Sequence, residues 1–111
     1  MTDPRITQLA ENLINNAVCL KAGENILIET TDTPDELSTE LIKAVEKVQG
    51  NAFVRNFNSR VRRQSIKSAT EAQIKLEAEL FLAEMKQMQA YIAIRGANNA
   101  MENGDIDDEK M

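Results

Sequence analysis

The sequence predicts a three-layer α/β/α domain on a small parallel sheet of about three strands, with helices on both faces. Three observations predict it. The run Ile26-Leu27-Ile28 is apolar without alternation, as in a strand covered on both faces. Helical three- and four-residue spacing alternates with short strand-like runs in the order α-β-α-β-α-α-β, which implies parallel strands joined by right-handed crossovers. Between Gly23 and Glu36 the chain passes from a helix stop through a strand and a polar loop to a helix start. With three strands, the order 2-1-3 puts the first strand in the middle.

The first helix is expected over residues 4–20. Asp3 can cap it and Pro4 suits its first position. Ile6, Leu9, Leu13, Ala17 and Leu20 form its apolar stripe, widened by Ile14 and Val18. Cys19 lies beside that stripe and reads as a buried structural thiol. Lys21-Ala22-Gly23 ends the helix with a cation and a glycine free to turn left-handed. The first strand follows at 25–30.

Thr33, Pro34 and Glu36 read as a capping box for a second helix over 34–49. Leu37, Leu41, Val45 and Val48 form its inward seam, with Ile42 beside it. Gly50-Asn51 stops it, and residues 52–57 make a second strand whose Arg55 and Asn56 suggest an edge or a cleft. Asn58 or Ser59 caps a short helix over 59–67. Thr70 with Gln73 then opens the longest helix, 71–88. Its Ile74, Ala78, Phe81, Met85 and Met88, flanked by Leu80 and Leu82, read as core packing. The third strand is 90–95, ended by Gly96. Residues 1–100 thus form one domain, and 101–111 are an acidic tail or the start of a continuation.

Charge is unevenly placed in this chain of 111 residues and net charge −5. The tail holds Glu102, Asp105, Asp107, Asp108 and Glu109 against Lys110, so the domain itself is nearly neutral. That balance argues against general nucleic-acid binding. Trp is absent and Tyr91 is the sole tyrosine, so an aromatic platform for stacking bases is not expected. No apolar run is long enough to span a membrane, the N-terminus lacks the apolar core of a signal peptide, and one cysteine suits a reducing compartment. A cytoplasmic location is expected. With no histidine, the chain holds no Ser-His-Asp triad, imidazole base or His-ligated metal.

Two groups of residues are candidates for a site. Doubly wound sheets bind ligands where the loops after adjacent strands diverge. Here that crevice would bring Thr30, Thr31 and Asp32, with Thr33, near Arg95, Gly96 and Asn98. Hydroxyls, a carboxylate, an arginine and a helix N-terminus suit a small charged group. No glycine-rich phosphate loop follows the first strand, however, and Asp32 and Thr33 already have capping roles. The second group is cationic: Arg55, Arg60, Arg62, Arg63 and Lys67, with no acid between Glu46 and Glu71. It reads as an anion or docking patch, as a solvated face, or as a partner for salt bridges to another part of a longer chain.

Several phrases resemble the N-terminal region of peptidase family M29, the metal-dependent aminopeptidases of the aminopeptidase T and aminopeptidase S type. They are Asp3-Pro4-Arg5-Ile6 with Leu9-Ala10 and Asn12-Leu13, then Lys21-Ala22-Gly23-Glu24, Ser59-Arg60-Val61, Ala69-Thr70-Glu71, and Tyr91-Ile92-Ala93-Ile94-Arg95-Gly96. In this order they cover essentially the whole chain. The resemblance implies a cytoplasmic hydrolase that releases N-terminal residues from peptides with two divalent metals, of the cobalt, zinc or magnesium kind. It also implies that the metal ligands lie in a later catalytic domain. No catalytic or metal residue is therefore carried onto this chain, and no cofactor is expected on it. Its expected partners are that catalytic domain and a second subunit, with a peptide substrate for the whole enzyme. Its expected role is to restrict access to the active site or to aid dimer contacts. The alternative is a free-standing α/β interaction module without the catalytic half.

Overall fold

The computed structural model describes residues 3–96. The elements are α1 (Pro4–Asn12), a π-helical turn continuing it (Leu13–Ala17), β1 (Asn25–Thr31), α2 (Asp35–Lys47), β2 (Asn51–Phe57), α3 (Ser59–Ser68), α4 (Glu71–Met85) and β3 (Ala90–Arg95). The strands are parallel in the order β2-β1-β3. β1 is central, with Leu27 opposite Phe53 on one side and Tyr91 on the other. The expected architecture and strand order are observed.

Side chains alternate along a strand. Ile26, Ile28 and Thr30 therefore face α1 and α2, while Leu27, Glu29 and Thr31 face α3 and α4. Ile26, Leu27 and Ile28 are all fully buried, as the unbroken apolar run requires. The hydrophobic core lies on the first face, where Ala10, Ile14, Leu41 and Val45 close over Ile26 and Ile28. Burying each such aliphatic side chain stabilises by about 1.5–3 kcal/mol before entropy is counted. Glu40 is buried between α1 and α2, where Thr7 Oγ1 donates to it at 3.1 Å and Lys43 Nζ reaches it at 3.2 Å. The Lys43 hydrogen bond is the main reason its carboxyl titrates below the usual range.

Local signals explain most boundaries. Asp3 accepts the Arg5 N–H at 2.9 Å and caps α1. Asn58 rather than Ser59 caps α3, accepting from the backbone of Arg60 and Val61. Thr70 accepts the Gln73 N–H at 3.1 Å and opens α4. Gly23 turns the chain at φ 81°, as the glycine there leads one to expect.

Five expectations need correction. The capping box on α2 does not form: Pro34 itself is the N-cap, without a side-chain bond, so Thr33 stands one position too early. Asp35 and Glu36 in the first turn complement the helix dipole instead. The first helix ends at Ala17, and its buried stripe runs through Ala10 and Ile14 and leaves Leu9 exposed. Ile42 is exposed as well, because α2 turns Ser38, Glu40 and Ala44 inward beside its seam. Cys19 is exposed, held at φ 55° with its thiol donating to the Asn16 carbonyl.

The fifth correction is the largest. The stripe of α4 is not core: no residue of α3 or α4 is buried, and Ile74, Leu80, Phe81 and Leu82 are exposed. Two features explain this. Apolar side chains lie all around α4, so no single face can satisfy them. The sheet face beneath also offers Glu29 and Arg55 among its side chains, leaving less apolar surface to pack on.

Candidate functional site

Among the described residues, the expected crevice is closed. Gly96 N donates to the Thr31 carbonyl at 2.8 Å, and a Cβ on Gly96 would lie 2.0 Å from the Asp32 carbonyl oxygen. The backbones leaving β1 and β3 are therefore in contact at Gly96 and Asp32, with no cleft between them among the described residues. Asp32, at φ 55°, closes the other side: its N–H donates to the Phe57 carbonyl and its Oδ1 accepts from Ser59 N at 3.1 Å. Hydrogen bonding from Ser59, aided by the charge of Arg60, holds the Asp32 carboxyl below the usual range.

Thr30 is not at a rim either. It is buried under α2, and its hydroxyl and that of Ser38 both donate to Asn56 Oδ1, at 2.6 and 2.9 Å. Thr31 and Arg95 pair across β1 and β3. Asn98 lies outside the described residues. The structure thus brings Thr31, Asp32, Arg95 and Gly96 together as a seal on the strand ends.

The open concavity is elsewhere, between the sheet and the α3–α4 hairpin. This groove holds about 1180 Å³, with Phe57, Val61, Ile66, Ile74, Phe81 and Tyr91 among its apolar lining. Three contacts hold its walls. Arg55 forms an ion pair with Glu84, Phe81 meets Tyr91 edge-on with centroids 6.2 Å apart, and the Arg62 guanidinium lies 4.3 Å over the Phe57 ring. On its floor the Tyr91 hydroxyl donates to Glu29, which keeps the phenol protonated and pushes its pKa up to about 12.

The basic cluster is therefore split. Arg55 and Arg62 line the groove, engaged with Glu84 and Phe57. Arg60, Arg63 and Lys67 are exposed on the remaining surface of α3, and none forms a salt bridge among the described residues. Helical spacing sets these three on one side. Glu29, Phe57 and Tyr91 escaped the sequence reading because their meeting depends on the register of three strands. The alternation of Leu27 and Glu29 placed them on one face, which was the only signal.

Among the described residues, no three His, Cys, Asp or Glu side chains gather so as to hold a metal. No helix of the described residues is long and apolar enough to cross a membrane. No protein-family model matches the chain, and no curated protein matches it.

Proposed function

We propose that this chain is the N-terminal, non-catalytic α/β domain of a metal-dependent aminopeptidase of the M29 type, a cytoplasmic peptide hydrolase. The observation that supports it most is where the resembling phrases fall. Asp3-Pro4 is a helix cap, Gly23 a left-handed turn, Thr70 a helix cap and Gly96 a close backbone approach. Each is a position where physics restricts the residue type, so their joint order carries more weight than any phrase alone. On this reading, cobalt, zinc or magnesium would be held by the catalytic domain, and this domain would shape or restrict the entrance. The cationic side of α3 with Arg60 and Arg63 is its contact toward that domain.

The test joins this chain to an M29-type catalytic domain in place of that enzyme's own N-terminal domain. Release of N-terminal residues from peptides is expected, and Arg60→Glu with Arg63→Glu should alter KM for longer peptides more than for dipeptides. The chain alone should release none with any of the three metals. Turnover by the chain alone, or a folded but inactive chimera, would overturn the proposal. A second reading, a free-standing interaction module, is favoured by the exposed apolar surface of α4.

A further inference from the structure

Among the α-helices of the described residues, α3 alone carries no acid. It carries four cations, of which Arg62 is engaged over the Phe57 ring. Arg60, Arg63 and Lys67 follow one another at steps of three and four, so they stand in a row, and none of them lines the groove. All three are exposed and none is in a salt bridge among the described residues. Other cations have acids at hand: Arg5, Lys43, Lys47 and Arg55 form ion pairs, and Lys75 stands one turn from both Glu71 and Glu79. Asp32 meets the first turn of α3 through Ser59 N and the charge of Arg60, leaving Arg63 and Lys67 further along.

The complementary charge is in the same chain. After Met101, Glu102, Asp105, Asp107, Asp108 and Glu109 stand against Lys110 alone. The path to them begins in the right place. Gly96 abuts the Asp32 carbonyl, and Asp32 in turn bonds Ser59, the first residue of α3. The chain therefore leaves β3 beside the N-terminus of α3, the positive end of its dipole. The residues from Ala97 to Glu102 span about 20 Å when extended, and the 10-residue α3 is about 15 Å long. Acids at 102–109 thus reach every cation from Arg60 to Lys67. A tether of this length keeps them at a local concentration in the millimolar range, so a few weak surface ion pairs suffice. We propose that the acidic segment 102–109 docks in cis on the cationic side of α3 and masks it from acidic partners. This goes beyond the peptidase reading, since any body that uses Arg60 and Arg63 must first displace the segment. Its test involves no turnover, so each can fail without the other.

The experiment is zero-length carbodiimide crosslinking of the full chain, read by mass spectrometry of the digested monomer. Lys67, the one lysine of α3, should join carboxylates of 102–109 at least about fivefold more often than Lys75 or Lys86 does. The yield should hold over about tenfold dilution, as a contact within one chain requires. It should fall about fivefold at high salt, and equally in Arg60→Gln with Arg63→Gln, which keeps Lys67 as the reporter. A hexaglutamate peptide then reads the masking. Asp105→Asn, Asp107→Asn and Asp108→Asn together should let it bind about tenfold more tightly than it binds the unmodified chain. Three outcomes would overturn the proposal: Lys67 linking the segment no more than Lys75 and Lys86 do, a yield that drops with dilution, or a hexaglutamate affinity indifferent to the neutralised segment. The crosslinks of the unmodified chain decide the matter even if a variant fails to fold.

Discussion

Under α1 and α2, the central strand presents Ile26 and Ile28 to Ala10, Ile14, Leu41 and Val45, and the hydroxyl of Thr30 is satisfied by Asn56. Under α3 and α4, the same strand presents Leu27 with Glu29, and the helices are held by an ion pair, a ring contact and a cation over a ring. One side is sealed by apolar contact; the other is spanned and left open. The difference teaches that covering a sheet face and packing against it are separate achievements. Which one occurs is set by the residue type at alternate strand positions and by whether the covering helix has one apolar side or several.

The contrast is broken most directly by truncation. Leu41→Ala should cost about 3 kcal/mol, because the cavity is walled by well-packed neighbours, whereas Leu76→Ala should stay within about 0.5 kcal/mol. Urea unfolding of both variants at low concentration reads the ratio, and equal costs would erase the distinction. Next in size is Gly96→Ala. The added methyl meets backbone, the Asp32 carbonyl, which cannot swing aside as a side chain would, so a loss of about 1–3 kcal/mol is expected.

Asn56→Ala sharpens the polar part of the packed face. It leaves two buried hydroxyls without their shared acceptor and should cost about 1–2 kcal/mol, while Asn56→Asp, which keeps that acceptor, should recover most of it. The smallest effect tests the open face. Tyr91 is the only tyrosine, so phenolate absorbance reports it alone. Its midpoint should lie at about 12, and Glu29→Gln should bring it toward 10.0. Because the folded value is the higher one, the associated stability is present below the unfolded pKa and is lost as pH rises through about 12.

Much of the architecture was legible because its causes are local. Ile26-Leu27-Ile28 reports double coverage by itself, and Asp3, Gly23, Asn58 and Thr70 act within a few residues of where they stand. The order 2-1-3, expected because it places helices on both faces of the sheet, is the order observed. What failed was long-range. Periodicity finds an apolar stripe on α4 but cannot say whether the surface beneath is apolar enough to accept it, nor does it weigh the apolar side chains on the helix's other sides. The crevice fails for a similar reason: local pattern assigns Asp32 a capping role at the helix that follows β1, whereas its N–H and Oδ1 tie β2 and α3 to the end of β1. The basic cluster was a run in sequence that the helical turn divided between two sides.

The order β2-β1-β3 also dictates an order in time. β1 and β2 pair residues such as Asn25 and Asn51, close in the chain and joined by the well-packed α2, whereas β1 and β3 must bring Ile26 to Ala90 across the whole α3–α4 hairpin. Loop closure becomes costlier with length, and little apolar burial on the open face repays it early. The third strand is therefore the last to dock during folding and the first to let go. In the native state its amides become the fast-exchanging edge of an otherwise slow sheet.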